Sequence, residues 1–251
     1  MLVPTVARIA ALIDHTVLKA EATRDDIASL CDEAREHGFA AACVNPVWVG
    51  LCRAQLDVAH TKVATVIAFP LGASEPATKA RETSLAVAEG ADEIDVVAAI
   101  GHIKSGAWAF VARDISAVVD AAGDRPVKVI LETAVLTDAE ITKASIIARD
   151  AGAAFVKTST GFHAAGGATT HAVSLIRSVV GDATGVKASG GIRDCGAALR
   201  MLAAGATRIG TSSGVNIVRC LDADPTPLAE LVEHPERHAA CAASRMRSAS
   251  A

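Results

Sequence analysis

Eight short apolar runs alternate with Ala-rich helical segments along this 251-residue chain. In the phrases EGADEIDVV, DAGAAFVKT and AAGATRIGT a helix closes on glycine just before an apolar strand opens. Recurring units of this kind demand parallel strands and right-handed crossovers. Eight of them in roughly 220 residues predict a closed (β/α)8 TIM barrel, an α/β fold in one domain spanning 1–251. An open doubly wound sheet is the competing arrangement. No G-x-G-x-x-G follows the first strand, which weakens its dinucleotide-binding form.

The elements follow in order. Strands are expected near 11–16, 40–44, 62–68, 93–98, 127–132, 154–159, 185–188 and 207–210. Thr23 with Asp25 and Asp26 opens a helix, placing a cap and two acids at the positive end of its dipole, and His37-Gly38 closes it. A second helix runs over 78–89 to Gly90. Thr137 and Glu140 form a capping box for a third, which ends at Ala151-Gly152, and a fourth runs over 193–204 to Gly205. The stretch 233–251 is polar, Ala/Ser-rich and partly basic, and is expected to be a helix fragment with a loose tail.

Composition narrows the function. Hydrophobic residues make up 51% of the chain and aromatic ones only 3%, with no Tyr, so the core must be built from Ala, Val, Ile and Leu. The formal net charge is −4 and there is no long basic run, which argues against nucleic acid and anionic membrane surfaces as partners. No apolar stretch is long enough for a membrane span, and with Asp14 and His15 interrupting the first apolar run no secretory leader is expected. The six cysteines, at 31, 43, 52, 195, 220 and 241, form no C-x-x-C pair and no zinc spacing. They are expected to be reduced thiols in a cytoplasmic protein.

Three lysines lie inside apolar β-runs: Lys128 in VKVIL, Lys157 in FVKTSTG and Lys187 in GVKASGG. Lysine is depleted from strands and is almost never fully buried without a partner. One strand lysine is equally well read as a sheet-edge residue whose head reaches water. Three in successive units point to a site where a desolvated amine beside another cation attacks a carbonyl. Asp14 and Asp95 also interrupt apolar strands, either as ion-pair partners for these lysines or as members of a proton relay.

In such a barrel the active site lies at the C-terminal ends of the strands. Those ends are polar or glycine-bearing here, including Cys43-Val44-Asn45, Glu132-Thr133 and Thr158 to Gly161. Gly190-Gly191 and Ser212-Ser213 follow the last two strands, the usual place for a phosphate. Asp14, Cys43, Thr158 and Gly161 complete the expected substrate contacts. Cys43 is also read as a small core residue. His15, His102 and His163 lack ligand spacing, and no metal is expected.

At these residues the chain resembles the deoxyribose-phosphate aldolases, class I aldolases. The motifs LIDHTVLKAEAT, CVNP, IAFPLG, EIDVV, VKVILET, FVKTSTGF, GVKASGGIR and RIGTSSG occur in order from Leu12 to Gly214. The resemblance implies a (β/α)8 fold and reversible cleavage of 2-deoxy-D-ribose 5-phosphate to D-glyceraldehyde 3-phosphate and acetaldehyde. It further implies Lys157 as the Schiff-base lysine, Lys187 as the second lysine and Asp95 as the proton-transfer group. No cofactor is called for, the substrate is a phosphorylated sugar, and a homodimer is expected. The chain departs from family patterns in three places. Ala98-Ala99-Ile100-Gly101 form the stretch in which many members carry Asn, Phe162 stands where some carry Lys, and the C-terminal Tyr of some members is absent. Two other readings remain: a lysine-dependent aldolase for a different phosphorylated sugar, and a non-catalytic phosphosugar-binding barrel.

Overall fold

The computed structural model describes residues 5–57, 59–224, 226 and 228–237. Eight parallel strands close into a barrel in sequence order: β1 Ile13–Val17, β2 Ala41–Val44, β3 Lys62–Ile67, β4 Glu93–Val97, β5 Val127–Ile130, β6 Phe155–Lys157, β7 Gly185–Ser189 and β8 Arg208–Thr211. β8 pairs with β1 through Ile13↔Ile209, which closes the ring and leaves no exposed sheet edge.

Helix boundaries follow local chemistry. Thr23 accepts from the Asp26 amide, and the Asp26 carboxylate returns to the Thr23 amide at 2.8 Å, so the helix Arg24–His37 begins with a reciprocal cap. Thr137 and Glu140 do the same for Asp138–Asp150. The helix expected over 78–89 starts earlier, at Pro76, because proline suits the first helical position. The one expected over 193–204 starts at Cys195, where Asp194 caps the Ala197 amide at 2.7 Å. The last described helix, Leu228–Glu233, ends where the expected tail begins, and within that tail the described residues form a 3-10 turn at Pro235–Arg237. The remainder of the expected tail, 238–251, lies outside the described residues.

Alternation along the strands divides the interior. Ala42, Val44, Val63 and Ile67 face outward and join the main core beneath the helices. Their neighbours Ala41, Cys43, Ala64 and Val66 face inward and form a small apolar cluster with Leu18 and Phe69 on the β2–β3 side. The other interior wall, on β1 and β4 to β8, carries buried charge.

One expectation is corrected. Cys195 and Cys220 are joined in a disulfide rather than standing as thiols. The helices Cys195–Ala203 and Gly214–Asp222 pack side by side, which brings the two Cα atoms to 6.1 Å. Their 25-residue separation matches no local motif, so spacing gave no sign of the pairing. Cys31, Cys43 and Cys52 are buried free thiols, and Cys241 lies outside the described residues.

Candidate active site

The strand register determines which charges meet. Asp95 is opposite Lys128, Ile130 opposite Lys157, Lys157 opposite Lys187, and Lys187 opposite Arg208. All three lysine ammonium groups converge on the Asp95 carboxylate. Lys128 Nζ donates to Oδ1 at 2.6 Å, and Lys157 and Lys187 both donate to Oδ2 at 2.7 Å. Lys187 also donates to Asp14 Oδ2. Lys128 reaches Glu93 at 2.7 Å, and Arg208 bridges Asp14 at 2.7 Å and Glu93 at 3.3 Å. Gly210 makes room for this packing, since a Cβ there would stand 2.9 Å from Lys187 Cε.

Counted as ionised groups, the cluster holds four cations (Lys128, Lys157, Lys187, Arg208) and three carboxylates (Asp14, Glu93, Asp95). One cation is in excess, and a low-dielectric interior penalises uncompensated charge. Lys157 is the lysine placed to release a proton. Desolvation pushes its pKa down, Asp95 alone opposes this among the carboxylates, and the Lys187 charge pushes it down further. Lys187 and Lys128 are also desolvated, but two or more carboxylates hold their pKa values above the ordinary lysine range. Burial would raise the pKa values of Asp14 and Asp95, yet the surrounding lysines hold both well below the usual carboxylate range. Asp95 at rest is therefore an anion held among three lysines.

Lys157 opens onto a cleft of about 690 Å³ at the C-terminal end of the barrel. Gly161, Gly190, Gly191 and Ser212 line it, together with Ser189 and Arg193. The loops after β6 and β7 touch backbone to backbone. A Cβ on Gly190 would lie 3.2 Å from Gly161 Cα and 3.0 Å from Gly167 Cα, at a φ of 91° that also favours glycine. The remaining expected contacts sit beneath or beside the cleft. Asp14 and Cys43 are wholly buried, and Thr158 is committed to the Ser189 backbone through bonds of 3.1 Å to both its carbonyl and its amide. The Ser213 amide is engaged by Thr211 Oγ1 at 2.9 Å. His15 borders the cleft and donates to Glu33 at 2.6 Å. Among the described residues no group of three or more His, Cys, Asp and Glu side chains is arranged to hold a metal ion.

Sequence reasoning passed over Glu93 and Arg208. Glu93 stands two residues before Asp95 on the same strand and must share its face. Arg208 is a strand cation by the same logic that singled out the lysines.

Residues 8–219 match the DeoC/LacD family of aldolases. Deoxyribose-phosphate aldolase 1 of Bacillus licheniformis is 55% identical over 218 residues, covering 86% of this chain and 97% of the relative. Deoxyribose-phosphate aldolase of Methanothermobacter thermautotrophicus is 54% identical over 218 residues, covering 87% and 97%. Among solved structures, the deoxyribose phosphate aldolase of Aeropyrum pernix, described as tetrameric, superposes with a TM-score of 0.79 at 34% identity over 87% of this chain and 93% of that one. The barrel, its buried lysines and these likenesses agree, and the chain belongs to the DeoC/LacD family of aldolases.

Proposed function

We propose that this protein is a deoxyribose-phosphate aldolase that reversibly cleaves 2-deoxy-D-ribose 5-phosphate to D-glyceraldehyde 3-phosphate and acetaldehyde through a Schiff base on Lys157. The observation that carries the reading is the buried amine of Lys157, one cation in excess of the surrounding carboxylates and open to the cleft.

The chemistry follows from that amine. Lys157 Nζ adds to the substrate aldehyde carbon, and loss of water gives an iminium. The C2–C3 bond then breaks. Its electron pair moves toward the iminium nitrogen to give an enamine, while the C3 hydroxyl gives up its proton and becomes the aldehyde of glyceraldehyde 3-phosphate. A proton returns to the enamine carbon, and water releases acetaldehyde and the free amine. Lys187 and Asp95, bonded to each other and to the Lys157 side, are the groups that move these protons. The Lys187 charge also lowers the proton affinity of Lys157, which favours the free amine that attacks the carbonyl.

The phosphate belongs at Gly161, Gly190, Gly191 and Ser212, at the mouth of the same cleft, with Arg193 supplying the cation nearby. The protein acts in the cytoplasm in deoxyribose phosphate breakdown and forms a homodimer. No helix among the described residues is long and apolar enough to cross a membrane. Light scattering tests the dimer against the tetramer described for the Aeropyrum pernix relative.

The decisive experiment is borohydride reduction in the presence of acetaldehyde, followed by peptide mass mapping. A two-carbon addition is expected on the peptide carrying Lys157. Addition to Lys128 or Lys187 with Lys157 untouched overturns the assignment.

A further inference from the structure

Glu132 is a buried carboxylate that the chemistry above does not use. It is 1% exposed and lies two residues past the end of β5. The sequence predicts strand up to 132, but β5 ends at Ile130 and Glu132 takes the left-handed conformation, φ 60° and ψ 58°. Glycine adopts that conformation without steric cost and glutamate does not. Residues held there despite strain cluster at functional sites.

The contacts show what the strain secures. On either side of Glu132, backbone bonds run from the Leu131 amide to the Lys157 carbonyl at 3.0 Å and from the Thr133 amide to the Thr158 carbonyl at 2.9 Å. The end of β5 is thereby tied to the loop that leaves Lys157. Between these two bonds the Glu132 carboxylate reaches further along the same loop. Both its oxygens accept from the Thr160 amide at 3.3 Å, and Oε2 also accepts from the Thr160 hydroxyl. Thr160 Oγ1 in turn accepts from the Phe162 amide at 3.1 Å. Thr160 and Phe162 bracket Gly161, whose backbone lines the cleft against Gly190. A buried carboxylate is costly unless donors satisfy it, and among the described residues the donors to this one come from Thr160.

We propose that Glu132 is a positioning residue for the phosphate end of the cleft. Its carboxylate fixes Thr160, and Thr160 sets where the Gly161 backbone meets the substrate's phosphate. The inference rests on the phosphate reading given above. It assigns Glu132 no contact with substrate and no proton transfer.

Steady-state kinetics on 2-deoxyribose 5-phosphate and on unphosphorylated 2-deoxyribose test it, using Glu132→Gly, Glu132→Gln and Thr160→Val. Glycine relieves the left-handed backbone while removing the carboxylate, and Glu132→Gln keeps the buried volume, so the two variants together separate loss of fold from loss of the contact. Glu132→Gly is expected to raise KM for the phosphorylated sugar by about tenfold or more, the scale of a lost charge-assisted hydrogen bond. KM for the unphosphorylated sugar and kcat on both are expected to stay within about threefold. Glu132→Gln keeps an acceptor oxygen in place and restores most of the phosphate-dependent KM. Thr160→Val reads the same contact from the other side and raises the same KM. A wild-type preference for the phosphorylated sugar that survives unchanged in Glu132→Gly and Thr160→Val overturns the inference alone. Equal KM losses on both sugars overturn it also, by reducing Glu132 to a general structural role. A wild-type enzyme with no such preference overturns the phosphate reading and the inference with it.

Discussion

Lys79 and Lys157 are both buried lysines bonded to an aspartate at 2.7 Å, and in both desolvation pushes the pKa down. Their surroundings differ. Lys79, on the helix Pro76–Ala88, faces Asp114 on the helix Trp108–Ala122 and also donates to the Val97 carbonyl at 2.8 Å. Asp114 accepts from the Ala99 amide at 3.0 Å as well. One cation meets one carboxylate, away from the main cleft, and the pair fastens two helices to the end of β4. Lys157 instead shares a single carboxylate with two other lysines and opens onto the cleft. Burial and a depressed pKa do not by themselves mark a nucleophile. What sets Lys157 apart, and supports the nucleophilic role proposed for it, is an excess of cations over carboxylates and an opening onto the cleft.

The largest effect that would break this comparison is on turnover. Lys187→Leu and Asp95→Asn are each expected to cut kcat about a hundredfold or more, in the range of lost acid–base groups. Lys79→Met is expected to leave kcat per folded molecule close to wild type. If Lys79→Met lowers kcat as far as Lys187→Leu does, the two lysine sites are not functionally distinct.

Stability should report the opposite ranking. Removing one partner of a buried pair leaves an uncompensated charge, so Lys79→Met is expected to lose about 3–5 kcal/mol in denaturant unfolding. A loss under about 1 kcal/mol, the scale of an exposed pair, would mean that Asp114 finds another way to be neutralised and that the helix fastening is weak.

The pH profile sharpens the role of Lys187. Borohydride trapping of acetaldehyde requires the free amine of Lys157, so its rate is expected to rise with pH through the depressed Lys157 pKa. In Lys187→Met a neighbouring cation is lost and Asp95 has one lysine fewer to serve. Both changes favour protonated Lys157, so the acid limb of the trapping profile moves to higher pH. An unmoved limb would show that Lys187 does not tune Lys157.

Much of this was legible in the sequence because period-two alternation is unforgiving. A lysine between β-branched residues of a barrel strand must face either helices or the interior, and Lys128, Lys157 and Lys187 all face the interior. Most of the eight strands could be read because the helix before them stops at or near a glycine, as at Gly38, Gly90, Gly123, Gly152, Gly181 and Gly205. What was not legible depends on distance across the fold. The Lys79–Asp114 bond spans 35 positions and joins two helices whose polar residues look solvent-facing in sequence. The Cys195–Cys220 bond joins neighbouring helices across an intervening strand. Glu132 was visible as a polar strand end, but neither its left-handed backbone nor its partner Thr160 has a local signature.

The smallest effect concerns the cost of keeping Lys157. Replacing it by Met leaves three cations against three carboxylates, so the cluster becomes balanced, and Asp95 keeps Lys128 and Lys187 as donors. Lys157→Met is therefore expected to be more stable than wild type at neutral pH by about 1 kcal/mol, the scale on which relieving an active-site group stabilises a fold. The sign of the pH dependence follows from linkage. The folded-state pKa of Lys157 lies below its unfolded value of about 10.4, so in that window the unfolded chain binds more protons and wild-type stability rises with pH. The same contribution from Lys79 is common to both proteins and cancels in their difference. Lys128 and Lys187, whose pKa values are raised, lose their contributions only at still higher pH. The advantage of Lys157→Met should accordingly be largest below the folded-state pKa of Lys157 and shrink as the pH rises toward the unfolded lysine value. Urea unfolding of both proteins across that range measures it. A variant less stable than wild type at neutral pH, or an advantage that does not change with pH, would mean that Lys157 is held in the barrel as a stabilising ion-pair partner, as Lys79 is between its helices.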